Sequence, residues 1–330
     1  GDENGLRFSE RDVTPDGGAV AMSFPWSIHA EENPLYWQTM PDGEGEDHYF
    51  WDGISPNTSG VSTSSTVTVT LNHIDQSASS ATVRVRLKGY SALSHRTQIL
   101  LNGTPIDEQT WSGQIIFDHD VDVAHALLVD GDNTVTVRAV DSGASVDRLF
   151  LDWVEIDYFD STIAEENQLQ FAAPAQGTVQ FEPTGFGTGD IRLFDITLSG
   201  SPVLLTNTQI KADGGQYAIR FKDEASLDSR YVALTPAAFL SPADIVLDAP
   251  SAWRSPEHGA DYIIITHSLF DGSAQKLADF RQGQGLRVAK IDVQDLYDEF
   301  NHGIFNPNAI RDFLAYAYDN WASPAPAYVV

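Results

Sequence analysis

Asp261-Tyr-Ile-Ile-Ile-Thr266 is a short apolar run without alternation, and Leu286-Arg-Val-Ala-Lys-Ile291 is a second. A strand with one dry face alternates apolar with polar residues. A strand that does not alternate is covered on both faces, as in a parallel sheet flanked by helices. Between the two runs Ala274, Leu277 and Ala278 recur at helical spacing, and Gly283 and Gly285 stop the pattern. Further on, Asn306 is an N-cap and Pro307 suits the first helical turn. Ile310, Phe313, Leu314, Ala317 and Trp321 then fall on one face. Ala327-Tyr-Val-Val330, after Ser323-Pro-Ala-Pro326, opens a third strand. Strand–helix–strand–helix–strand is the opening of a parallel α/β sheet, expected over residues 251–330. The third run stops without a turn, so more chain is expected to follow and to cover Ile263, Ile265 and Val329.

Upstream the grammar is all β. Thr66-Val-Thr-Val-Thr-Leu71 and Thr82-Val-Arg-Val-Arg-Leu87 alternate in the manner of half-buried antiparallel strands. Gln98-Ile-Leu-Leu101 runs into Asn102-Gly103, a dipeptide that tolerates positive φ and makes tight hairpins. Ile115-Ile-Phe117, Thr134–Val140 and Leu149–Tyr158 complete a set of short strands separated by turn residues. This predicts a jelly-roll-like β-sandwich over residues 1–160. Ile191-Arg-Leu-Phe-Asp195, Tyr217-Ala-Ile-Arg-Phe221 and Tyr231-Val-Ala-Leu234, spaced by glycine-rich stretches, predict a second β-rich module over 161–250. The fold expected is therefore multidomain and mainly β, ending in a partial α/β unit.

Composition narrows the function classes. The 330 residues carry 47 acidic against 19 basic side chains, a formal charge of −28. Such a surface repels nucleic acid and anionic lipid, so neither is expected as a partner. The acidity suits solubility, salt tolerance or divalent cations. There is no cysteine, which excludes disulfides, thiolate nucleophiles and cysteine-based metal sites within these residues. No apolar run is long enough to span a membrane as a helix.

The α/β stretch resembles the start of the gingipain-type cysteine peptidase domain, a caspase-like fold. The residues that carry the resemblance are Ala260–His267, Leu277-Ala-Asp-Phe-Arg281, Gly285-Leu-Arg-Val-Ala289 and Asp295-Leu-Tyr-Asp-Glu-Phe300. Gly303 and Asn308-Ala-Ile-Arg-Asp-Phe-Leu314 complete the set. The family's layout there is an apolar strand, a helix, Gly-Leu-x-Val, an acidic Tyr-x-Glu-Phe loop and Ala-Ile-Arg-x-Phe. Tyr49-Phe-Trp51 and Leu151–Tyr158 look like aromatic motifs of the β-rich region that precedes this domain in secreted members. The resemblance implies a catalytic His and Cys after the third strand, beyond these residues. No catalytic residue is therefore carried over. His267, at a strand end, is read as structural or solvent-facing.

Other constellations are weaker. Asp118, Asp120 and Asp122 alternate, with Asp130 and Asp132 in a nearby turn, and could supply oxygens to calcium; the alternative is a solvated acidic face. Trp37, Trp51 and Trp111, with Tyr36 and Tyr49, could form a sugar-stacking platform; Trp153 is expected in the core. Gly185-Phe-Gly-Thr-Gly189 opens no helix and reads as a loop rather than a phosphate cradle. His29-Ala-Glu-Glu32 and Glu46-Asp-His48 read as solvated loops, lacking the helical spacing of a zinc protease.

The expected function is the N-terminal, non-catalytic portion of a secreted or cell-surface gingipain-type endopeptidase, inactive alone. Its partners would be the remainder of the same protein and, for the full-length form, a peptide or protein substrate. The rival expectation is an extracellular glycan- or protein-binding β module.

Overall fold

The computed structural model describes residues 7–40, 47–243, 247 and 250–330. The chain divides into two compact units, Gly1–Leu240 and Ser241–Val330.

Unit one contains a β-sandwich. One sheet runs Ile116–Ala124, Ser80–Gly89, Leu149–Ser161, Ser23–Glu31, with Asp52–Ile54 also on Leu149–Ser161. The facing sheet runs Ser64–Leu71, Gly131–Val140, Ser94–Leu101, Thr104–Ser112. The alternation read from the sequence places Val67, Val69, Leu71, Val83, Val85, Leu87, Val135 and Val137 in one buried core between them. Each such side chain contributes about 1.5–3 kcal/mol of hydrophobic transfer. Asn102 and Gly103 turn the hairpin at φ 49° and 79°, as a two-residue turn of this hand requires.

Trp153 is the instructive exception to the alternation. The register on Ser80–Gly89 slips between Leu151 and Trp153, a β-bulge. Leu149 and Leu151 lie in the core before it, and Val154, Ile156 and Tyr158 after it. One inserted residue swaps the faces of everything beyond it. Trp153 is thereby turned outward, half-buried, with the Arg86 guanidinium 4.7 Å over its ring. The bulged residue itself is Asp152.

The rest of unit one has a second core built on Phe171, Phe181, Phe221 and Tyr231; Phe181 and Phe221 stack at 4.7 Å. Its sheets run Ser9–Asp12, Val203–Thr206, Arg192–Asp195, Arg230–Leu234, Gln168–Ala172 and Gly177–Phe181, Gln216–Ala225, Gln209–Asp213. The sandwich expected from residue 1 is corrected here. Ser9–Asp12 pairs in parallel with Val203–Thr206, and Val13 and Phe24 sit in the second core. Ser9-Glu-Arg-Asp12 has no apolar face to declare its place. Arg11 anchors it instead, at 2.7 Å from Asp195 and 2.6 Å from Asp223.

At the end of Leu149–Ser161, burial pushes the Asp160 carboxyl up to about 7, against the Tyr158 hydroxyl that donates to it at 3.3 Å. A raised folded value means that the native state holds the proton more tightly. Stability contributed by that protonation is present at low pH and lost as pH rises from the unfolded carboxylate range through about 7. Asp160→Asn should therefore gain melting temperature relative to the parent between pH 5 and pH 8. A constant difference across that range would contradict the assignment.

Unit two is a parallel sheet ordered Val288–Asp292, Tyr262–Thr266, Tyr328–Val329. Helix α1 (Asp271–Gly283) covers one face, packing Ala274 and Ala278 on Tyr262 and Ile264. On the other face lie α2 (Val293–Asn301) and α3 (Pro307–Asn320), whose Leu296, Phe313 and Ala317 join Ile263, Ile291 and Trp321. Asn306 caps α3 by accepting from the Asn308 N–H at 2.8 Å. The acidic loop expected at Asp295–Phe300 is α2. Asp292 caps it through the Gln294 N–H at 3.0 Å, Leu296 and Tyr297 are buried, and His302 and Gly303 end it at φ 55° and 81°.

Candidate functional site

In an open parallel sheet, ligands meet the chain beyond the carboxyl ends of the strands. Tyr262–Thr266 ends at His267, and Val288–Asp292 ends at the α2 cap. Between them lies a cavity of about 510 Å³ lined by His267, Ser268, Asp292, Asp295, Tyr297 and Phe305. His267 is exposed, and its Nδ1 accepts from the Leu269 N–H at 3.1 Å, which leaves Nε2 as the ring's donor. Asp295 accepts from Trp253 Nε1 at 3.0 Å, so its carboxylate is oriented by the floor of the unit. Leu269, Phe270, Ile304 and Phe305 stand largely exposed in the flanking turns. The cavity offers an imidazole, carboxylates and an apolar rim. It offers no thiol.

The five aspartates suggested as a calcium site are not brought to a point. Asp118 takes both guanidinium contacts of Arg86 at 2.9 Å, Asp120 faces Arg84 at 3.7 Å, and Asp122 accepts from Thr82 Oγ1 at 2.8 Å. Same-face residues of a strand stand about 6.6–7 Å apart, too far for one ion. Asp130 accepts from the Ile74 N–H and Asp132 from Thr70 Oγ1, at different places.

The aromatic platform is also corrected. Trp111 is 6% exposed, stacked on Phe117 at 4.9 Å, with Nε1 donating to Thr97. Trp37 lies under the Arg148 guanidinium at 4.4 Å, and Trp51 packs against the sandwich core. Trp111 is thus a core residue, and Trp37 and Trp51 are partly buried rather than a shared exposed platform. Tyr36 and Tyr49, at 5.0 Å from each other, are the exposed pair.

Sequence reasoning missed one cluster. Glu31, Asp47 and Asp152 place one carboxylate oxygen each within 4.8 Å of the others. Glu31 and Asp47 come from the two stretches read as solvated loops; Glu46 lies outside the described residues. Asp152 is 7% exposed, and its carboxyl is pushed up to about 7, first by burial and then by the charges of Asp47 and Glu31. No local pattern could have found it, because the three residues meet only when the bulge turns Asp152 toward the other two.

The fold is of one class: β-rich domains leading into the opening of a parallel α/β unit. Residues 255–330 match the model of peptidase family C25, in agreement with the gingipain-type motifs. The whole chain has the fold of part of dimeric latent PorU from Porphyromonas gingivalis, with TM-score 0.67 and 17% identity over 98% of this chain. It spans 30% of that protein. A carbohydrate-binding module CBM36, solved with calcium and xylotriose, aligns with 40% of this chain and 98% of its own (TM-score 0.24, 10% identity). A family 35 module from Clostridium thermocellum aligns with 41% and 90% (TM-score 0.23, 11% identity). Those two likenesses are too slight to bear on what this chain binds. No curated protein matches it.

Proposed function

We propose that this chain is the N-terminal, non-catalytic portion of a gingipain-type cysteine endopeptidase that works outside the cytoplasm. The observation that carries the reading is the C25 match confined to residues 255–330, on a chain without cysteine. In such an enzyme a thiolate attacks the peptide carbonyl, a His accepts and returns the proton, and backbone N–H groups hold the oxyanion. The chain contributes the first strands of the sheet that would carry those groups, and the cleft floor at His267 and Asp292. Tyr328–Val329 supports this role: it is a strand at the sheet edge with both residues at least half exposed. No helix among the described residues is long and apolar enough to cross a membrane.

Incubated with arginine-, lysine- and general peptide reporters, the isolated chain should turn over at the buffer rate. Turnover abolished by a thiol reagent would refute the reading. A second reading, glycan recognition by the sandwich, is favoured by the exposed Tyr36–Tyr49 pair. Affinity electrophoresis against soluble polysaccharides tests it: retardation lost in Tyr36→Ala would support it, and unretarded migration would remove it.

A further inference from the structure

The carboxylates of Glu31, Asp47 and Asp152 are held together by three separate pieces of chain. Glu31 ends the edge strand Ser23–Glu31 and pairs across to Trp153. Asp47 precedes Tyr49–Phe50 and is fixed by the Tyr49 N–H at 2.9 Å. Asp152 is the inserted residue of the bulge in Leu149–Ser161. Bulges re-aim single side chains, and this one aims a carboxylate away from solvent toward two others.

Like charges in this arrangement repel, and burial sharpens the repulsion. A buried carboxylate is ordinarily hydrogen-bonded or paired. Asp152 Oδ1 has no hydrogen-bond partner, although the residue is only 7% exposed. Arg86 is bidentate on Asp118 and lies over Trp153, and the His29 ring lies between Glu31 and Glu155. A buried carboxylate with an unpartnered oxygen, set within 4.8 Å of two others, is what a cation ligand looks like without its ion.

We propose that Glu31, Asp47 and Asp152 form a calcium-binding site that ties the edge strand, the segment before Tyr49 and the bulge of the sandwich together. The donor chemistry selects the ion. Every ligand is a carboxylate oxygen, with no cysteine and no imidazole in the set, which suits a hard cation rather than zinc or copper. Two oxygens on one calcium at about 2.3–2.6 Å stand at most about 5 Å apart, which accommodates the 4.8 Å spread. A smaller octahedral ion that keeps its waters fits a partly buried site less well. The ligands are also oriented from behind, as metal carboxylates usually are. Asn33 Nδ2 donates to Glu31 Oε1 at 3.0 Å, His29 Nε2 lies 3.2 Å from Glu31 Oε2, and Tyr49 N holds Asp47.

Calcium chloride titrated into the 330-residue chain in a calorimeter, with magnesium chloride alone in a parallel arm, tests the site. One equivalent of calcium should bind, and the melting temperature should climb with the logarithm of free calcium. Asp152→Asn should weaken binding by more than the roughly 10–100-fold that loss of an outer-shell partner costs. Glu31→Gln, at an exposed strand end, should do the same without threatening the fold, while Asp118→Asn on the Arg86 ladder should leave affinity unchanged. Absence of both heat and melting shift at millimolar calcium would overturn the proposal. So would undiminished affinity in Glu31→Gln, loss of affinity in Asp118→Asn, or tighter binding of magnesium than of calcium.

Discussion

Replacing Asp147 by alanine is expected to lower the stability of the sandwich by about 1–3 kcal/mol, the cost of leaving a buried hydrogen-bonding partner unsatisfied. Asp147 and His95 are both fully buried, with Oδ1 2.6 Å from His95 Nδ1. The other ring nitrogen lies 3.1 Å from the Ser91 carbonyl, so the imidazole is held from both sides. Asp147 is also a junction for loops. Its second oxygen accepts from Ser142 Oγ at 2.8 Å, its N–H donates to Asn57 Oδ1 at 3.2 Å, and its carbonyl accepts from Ser55. Trp111 closes the pocket, 4.2 Å from the His95 ring. Urea unfolding of Asp147→Ala beside Asp118→Ala checks the claim. The exposed Asp118–Arg86 pair should be worth about 1 kcal/mol or less. Equal losses in the two variants would show that the buried pair adds nothing beyond a surface one.

What the sequence discloses about this chain follows the range of the interactions involved. Asp261–Thr266, Leu286–Ile291 and the Asn306–Pro307 start are local signals, and each reappears within a residue or two of its expected place. The strand Thr104–Ser112 has no such signal. It is an edge strand with Trp111 as its one buried residue, so nothing forces alternation on it. Ser23–Glu31 does alternate, through Phe24, Trp26, Ile28 and Ala30, but Pro25 obscures it; proline is tolerated there because the strand lies at the sheet edge. Helix α2 hides behind an acidic composition that the Asp292 cap and the Leu296–Phe300 spacing make helical. The carboxylate cluster is the extreme case. Its residues belong to three separate segments, and the residue that completes it is defined by a register slip with no composition of its own. The Asp118–Asp122 ladder misleads for the converse reason. Its spacing is legible, but alternate residues on a strand share a face without converging.

Phe313→Ala should collapse protection in unit two while leaving the sandwich intact. Phe313 is fully buried in α3, with the Phe300 ring at 5.6 Å and the Trp321 ring at 5.5 Å. It shares its core with Ile263 and Ile291 of the two central strands and with Leu296 of α2. Truncating a buried phenylalanine removes about 3–5 kcal/mol, through lost transfer free energy and the cavity left behind. That is comparable with the whole stability of a small domain. A sheet of three short strands with one exposed edge has little in reserve. Among the described residues, the sandwich core is built from residues of unit one. Hydrogen exchange read by mass spectrometry should therefore show Tyr262–Thr266 and Val288–Asp292 exchanging fast in the variant. Ser64–Leu71 and Gly131–Val140 should stay protected as in the parent. Parallel loss in both regions would mean that the two units unfold as one. Unchanged protection at Tyr262–Thr266 would mean that Phe313 is not the keystone of the helical face that its position makes it.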